Sequence, residues 1–393
     1  MTHVQSPVMR PSLASVTPFY ASTMVAFLAA SAAPTPLYRL YHEQWDLSPL
    51  TLTTIFSAYV VSLLFALLTA GRLSDHVGRR PVIFGALLLD STALALFAGA
   101  GTAGTLIFAR LVQGLATGAA TTAMAAAMLD GDKHRGPLIN GLSPMFGMAA
   151  GSVASGALAA YAPWPLHLIY LVLIVVMLTQ AGLIWTLPET ASVRSGALAS
   201  LRPNLAVPHK AKRLLALLVP SIIAVWGLGG FYLSLMPSLV RSVTGIQSPL
   251  LGGIVVSVLM LSGAAAIFSL RHCTGQVILA IGMSLMIVGV GALLGGVAER
   301  SLAVMAIGSA LAGFGFGAGF LGGLRLLMPL AEPQERAALM SVFYLVSYLA
   351  FCIPAVAAGF LAQALGLVGV IQIYGAAVIA LGLSALAVVR LMK

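Results

Sequence analysis

Charge is what this sequence has least of. Only 8% of its 393 residues are Asp, Glu, Lys or Arg, against 60% hydrophobic, whereas soluble proteins carry charge at about a quarter of their positions. A water-solvated globule is excluded, and lipid must be the main solvent. Acidic residues are scarcer still at 10, and of these only Asp90 falls well inside an apolar run. The first run holds no carboxylate, and neither does any run after residue 213. Cysteine is nearly absent. Cys273, at the end of one run, and Cys352, inside another, are expected to be packing residues rather than a disulfide. The seven His show no metal-ligand spacing, no P-loop offers ATP as a direct energy source, and no nucleophile, base and orienter can be assembled. The expectation is no enzyme, no metal and no cofactor.

Apolar length is what the sequence does have. A helix needs roughly 20 apolar residues to cross a hydrocarbon core of about 30 Å. Runs bounded by Pro, Gly or charge lie near 18–38, 49–70, 81–100, 104–128, 138–161 and 165–187, then near 214–237, 249–270, 275–297, 302–327, 337–361 and 366–389. A polar, basic stretch over 189–213 separates the two sets. This predicts an all-α polytopic membrane protein with twelve transmembrane helices in two pseudo-symmetric six-helix bundles, 1–188 and 214–393, joined by a linker at 189–213. The first run is long enough to span and is read as a retained helix, not a cleaved signal.

The net charge of +10 raises the question of nucleic acid, which the placement of the basic residues answers. If both termini are cytoplasmic, nearly all of them, from Arg10, Arg72 and Lys133 to Lys210, Arg336 and Lys393, fall at one face. Only Arg39, Arg241 and Arg300 fall at the other, and Arg110 lies within a run. That is the positive-inside pattern, so the charge reads as orientation and anionic-lipid contact with no nucleic-acid partner. A weak internal repeat supports two halves: Gly114 and Gly118 precede Arg135 by the spacing that separates Gly315 and Gly319 from Arg336.

The loop after the second run reads Gly71, Arg72, Leu73, Ser74, Asp75, His76, Val77, Gly78, Arg79, Arg80, Pro81. Its glycines permit a tight turn, Pro81 suits the first turn of a helix, and an Asp at a surface can meet the positive N-terminal end of another helix. The loop resembles the signature between the second and third helices of the major facilitator superfamily. The resemblance implies that Gly71, Arg72, Asp75, Gly78, Arg79 and Arg80 form a conformational gate loop, with Asp75 capping the eleventh span near Arg336 in one conformation only. The plainer alternative makes these arginines topology anchors.

Arg110 to Gly114, with Gly118, resembles the same family's second motif. An Arg inside a span costs about 2.5–3.5 kcal/mol on insertion scales and by default marks function. Asp90 sits near the midplane with Arg110 roughly 5 Å above it at about 1.5 Å rise per residue, so the two are expected to pair. Such an Arg favours the ionised carboxylate, and separating the helices would withdraw that support. A proton role, a purely structural pair and direct substrate contact all remain open. The fifth run, Gly147 to Gly156, resembles the Gly-rich motif of the family's drug:proton antiporter branch, with Ser152 and Ser155 as departures. Here Gly147, Gly151 and Gly156, like Gly114 and Gly118, are read as close-packing positions, the fifth span meeting its neighbour in the other half. Leu187, Pro188, Glu189 and Thr190 match the usual end of the sixth helix.

The resemblance further implies that the first, fourth, seventh and tenth spans line a substrate cavity. Candidates are Met24, Phe27, Gln113, Met124, Trp226, Tyr232, Met236, Phe316 and Phe320, a Met-rich and aromatic set suited to apolar or amphipathic solutes. The function expected is proton-coupled efflux of a small lipophilic solute across a bacterial inner membrane, with a monomer sufficient. A proton-driven importer of the same fold and a non-transporting sensor or scaffold are the alternatives.

Overall fold

The computed structural model describes residues 16–332 and 334–391, so Arg10 and Lys393 lie outside the described residues. The protein is a multi-pass integral membrane protein, built among the described residues from helices without strands. In chain order these are α1 (Val16–Ala32), α2 (Pro34–Trp45), α3 (Pro49–Ala70), the single turn α4 (Ser74–Val77), α5 (Arg79–Ala98), α6 (Ala103–Gly131), α7 (Gly136–Tyr161) and α8 (Leu168–Leu183). The short α9 (Ala197–Ser200) follows in the polar stretch, then α10 (His209–Ser234), α11 (Met236–Thr244), α12 (Pro249–Ser269), α13 (Gly275–Ala298), α14 (Leu302–Leu327) and α15 (Arg336–Leu391).

The boundaries follow local chemistry. Ser48, Thr102 and Ser301 each cap a helix by accepting the backbone N–H three residues on, at 3.1, 3.2 and 3.4 Å. Proline opens α2, α3 and α12 at positions where no N–H partner is needed. Among the described residues, eleven stretches are long and apolar enough to cross a membrane. The last, 56 residues of α15, would run about 84 Å at 1.5 Å per residue, far beyond a bilayer, and it breaks at Gly366, whose φ of +68° is non-helical. The first expected span also differs from a plain run. It is a bent pair, α1 and α2, parted at Ala33 because Pro34 and Pro36 cannot donate to the helical ladder. The seventh is parted likewise at Leu235, just before Pro237.

Among the helices before Glu189, α3 and α5 pack on α6, and α1 packs on α6 and α7. Among those after Pro208, α13 and α12 pack on α14, and α10 packs on α15. The groups are joined chiefly by α7 with α12 and α3 with α15, with smaller contacts of α2 on α10, α11 and α12 and of α3 on α10. Small residues bring backbones together. Gly114 and Gly118 lie on α3 at Tyr59 and Leu63, whereas Gly147 and Gly151 lie on Val25 and Ala29 of α1. Of the fifth-span glycines Gly156 meets the other group closely, at Pro249 and Leu250 of α12, and Gly141 more loosely, at Ile267. Hydroxyls add cross-helix bonds: Ser155 donates to the carbonyl of Ala33 (2.6 Å) and Ser257 to that of Ala149 (2.8 Å).

A Cβ on Gly151 would collide with the backbone of Ala29, which cannot turn aside as a side chain can. Gly151→Val is therefore expected to destabilise the protein by about 1–3 kcal/mol. This reads out as a lowered melting midpoint and a several-fold smaller monodisperse peak in size-exclusion chromatography, with Gly85→Val, at an open position, as the control.

Candidate functional site

The Gly71–Pro81 loop is held by charges from three segments. Arg79 donates to Asp75 Oδ1 (2.5 Å), Ser74 Oγ (2.7 Å) and Asp130 Oδ2 at the end of α6 (3.4 Å). Glu189 then closes the N-terminus of α5, accepting the backbone N–H groups of Arg79 (2.8 Å) and Arg80 (3.0 Å). A carboxylate there satisfies two orphan donors and meets the positive end of the helix dipole, a contribution of about 0.5–2 kcal/mol. Arg80 donates to the carbonyl of Leu187 (2.6 Å) and lies over the Trp185 ring. Gly78 has φ +106°, and a Cβ there would press on the Glu189 carboxylate. Nearby Asp132 accepts the backbone N–H groups of Arg135 and His134, which hold its carboxyl below the usual range.

The expected contact of Asp75 with the eleventh span is not made. Asp75 is spent on Arg79, and Arg336, the first residue of α15, turns its own guanidinium to the carbonyl of Ala331. A cavity of about 180 Å³ lies between the end of α3 and the start of α15, bordered by Leu67, Arg72, Thr122, Arg202 and Tyr344. Those helix ends are thus apart on this face.

On the opposite face the two groups of helices are joined through α2 and α11. Arg241 of α11 reaches Glu43 of α2, Arg39 bonds the same carboxylate (3.2 Å), and Arg39 and Arg241 both bond Gln247 (3.4 and 3.2 Å). Thr35 also donates to the carbonyl of Leu233 (3.0 Å). The two bent segments, α2 and α11, meet there.

Arg110 is 1% exposed and forms no ion pair with Asp90, which corrects the expected pairing. Its guanidinium donates to the carbonyl of Ser31 (2.8 Å), to Gln113 Oε1 (2.8 Å) and to Tyr38 Oη (2.6 Å), and it lies near the rings of Tyr38, Tyr59 and Phe97. The Ser31 carbonyl belongs to the last turn of α1, where the helix dipole is negative. A charge-assisted hydrogen bond contributes about 1.5–3 kcal/mol and a desolvated cation–π contact up to about 2 kcal/mol. These partners suffice to offset the insertion cost without a carboxylate. Asp90 is wholly buried in α5, and its oxygens make no hydrogen bond of ordinary length; the Gln113 amide nitrogen, itself otherwise unpartnered, is the donor within range of the carboxyl. Gln113 and Arg110 are the groups close enough to act on it electrostatically.

The expected cavity residues Met24, Phe27, Gln113, Met124, Tyr232 and Met236 are buried within 2% exposure, and Phe316 at 6%. None borders the cavity on the Arg72 side. Trp226 and Phe320 belong to an aromatic cluster with Tyr348 and Phe351, whose ring continues to Phe56 of α3. Tyr348 and Phe351 escaped the sequence reading, although Tyr344, Tyr348 and Phe351 follow the i, i+4, i+7 spacing of one helix face. Glu189, seen only as part of a motif end, was missed as a cap because its partner lies far away in sequence.

Neutralising Glu43 removes the carboxylate between two arginines. Glu43→Gln is expected to open this face, raising labelling of Thr35→Cys by a membrane-impermeant maleimide several-fold in a background of Cys273→Ser and Cys352→Ala. Unchanged labelling would mean the charges do not hold the closure.

Comparison with known proteins adds to this geometry. The sequence profile of the Major Facilitator Superfamily matches residues 19–272. The multidrug resistance protein MdtL of Shewanella oneidensis is 31% identical over 158 residues, covering 38% of this chain and 39% of that protein; the matched stretch thus spans well under half of that relative. Among solved structures, a mutant of the nucleoside transporter NupG superposes with a TM-score of 0.75 at 12% identity, over 96% of this chain and 100% of that one. The human organic anion transporter MFSD10 (TETRAN) gives 0.67 at 18% identity, over 97% and 100%. At such identities the likeness is one of fold.

Proposed function

This chain belongs to the major facilitator superfamily, and we propose that it exports a small lipophilic or amphipathic solute across a bacterial inner membrane by proton-coupled alternating access. In this reading the break at Gly366 divides the last of the eleven long apolar stretches in two, giving twelve spans with both termini cytoplasmic. Bundles 1–188 and 214–393 rock about a central site, and the linker 189–213 joins them on the face of the Gly71–Pro81 loop. The MdtL match and the Gly-rich fifth span favour export of a drug-like solute.

The observation that carries the coupling is Asp90, a fully buried carboxyl that makes no hydrogen bond of ordinary length and lies beside Gln113 and Arg110. An acid held this way inside a membrane marks a proton site more readily than a structural pair. When Asp90 gives up its proton, its charge competes for Arg110 with the Ser31 carbonyl and the Tyr38 hydroxyl. These two acceptors stand on either side of the α1–α2 break, and α2 carries Arg39 and Glu43 of the far closure. Proton release thereby loosens the closure, while Asp75 becomes free to exchange Arg79 for the N-terminus of α15.

The test is proton movement in proteoliposomes, read with a lumenal pH dye as lipophilic drugs, sugars and organic acids are added in turn. Wild type is expected to move protons with at least one lipophilic or amphipathic compound, and Asp90→Asn to lose the signal at least tenfold. A variant that matches wild type removes Asp90 from the mechanism. Movement driven from the opposite side only would turn the exporter into an importer.

A further inference from the structure

The cavity between α3 and α15 has a composition that selects a ligand. Its walls are apolar at Leu67, Leu68, Met340 and Tyr344, yet it is flanked by two arginines from separate segments, Arg72 after α3 and Arg202 in the linker. Neither guanidinium has a hydrogen-bond or ion-pair partner among the described residues. No carboxylate borders the cavity, and the nearest acid in sequence to Arg72, Asp75, is occupied by Arg79. Asn204, Thr122 and Ser341 supply further polar groups at its edge. Two like charges at one opening repel unless an anion lies between them, and arginine forks fit a carboxylate or a phosphate, of which an apolar cavity of this size suits the carboxylate of a small ring compound. The size is also restrictive. A cavity of about 150 Å³ holds a benzene ring, so about 180 Å³ admits one ring with a small substituent.

We infer that this cavity binds a small aromatic carboxylate, its ring against Leu67 and Tyr344 and its carboxylate between Arg72 and Arg202. This rests on the transporter reading above and names the solute class that the face of the Gly71–Pro81 loop would load. It also gives the linker a role in recognition, through Arg202 and Asn204.

Equilibrium dialysis of benzoate against the full-length protein in zwitterionic-lipid nanodiscs tests this, with benzyl alcohol and benzylamine as neutral and cationic counterparts. Benzoate is expected to bind at least tenfold more tightly than either, and Arg202→Gln and Arg72→Gln each to weaken it about tenfold. Arg202→Lys, which keeps the charge but not the fork, should recover only part. Equal binding of the three compounds, or arginine variants that bind as wild type, overturns the inference. So does loss of benzoate binding in nanodiscs of anionic lipid, which would make the site one for phospholipid headgroups. No proton gradient is involved, so absent benzoate binding alongside a proton signal from other solutes leaves the transporter reading standing, whereas absence of both defeats the two together.

Discussion

A guanidinium placed among hydrocarbon chains has to be answered, and the way Arg110 is answered organises the helices around it. Its partners are the Ser31 carbonyl, the Tyr38 hydroxyl and the Gln113 amide, and the first lies in the last turn of α1, just before Pro34 and Pro36, which withhold the N–H groups that would continue the ladder. The break and the charge are thus complementary. The helix end needs a donor, the arginine needs an acceptor, and their contact fixes where α1 gives way to α2. Everything further along α2, including Arg39 and Glu43, takes its place from that junction.

The two faces of the molecule are built on different physics. On the Glu43 face, one carboxylate, two arginines and a glutamine join α2 to α11 and the residues just after it, from the first and second parts of the chain. On the Arg72 face, the corresponding charges are turned inward within the first part of the chain, with Asp75 and Asp130 on Arg79 and Glu189 on the start of α5. The structure therefore has the loop locked to itself while the ends of α3 and α15 stand apart. This arrangement leaves Asp75 half-exposed, with one partner it shares with Asp130.

Much of this was legible in the sequence where the cause is local. Apolar length, capping Ser and Thr, and proline at helix starts placed most of the helices to within a few residues, and the loop motif marked Asp75, Gly78 and Arg79 as one loop, although it gave Asp75 to the eleventh span and the structure gives it to Arg79. Where acceptors are backbone carbonyls, the sequence was silent, since any residue supplies one. Hence Arg110 was expected to take the only intramembrane carboxylate, and instead took the end of a helix. The prolines at 34, 36 and 237 were visible, but their meaning as breaks depended on which helix ends they would expose. The aromatic stripe of α15 is readable from its spacing, but spacing alone does not tell a stripe that faces lipid from one that meets Trp226 of α10.

Glu189 changes what the basic segment after it can do. The segment is fastened to α5 through Glu189, and again where the Arg194 N–H meets the carbonyl of His76 (2.9 Å) and the His76 ring meets the carbonyl of Ser195 (2.9 Å). Only the residues from there to Pro208 are left to bridge toward α10, and four of them are wound into α9. With extended residues at about 3.4 Å and helical ones at about 1.5 Å, that tether reaches roughly 35–40 Å at full stretch. The chain carries its own leash, and its length sets a limit on how far the first and second parts of the molecule can swing from one another on that side.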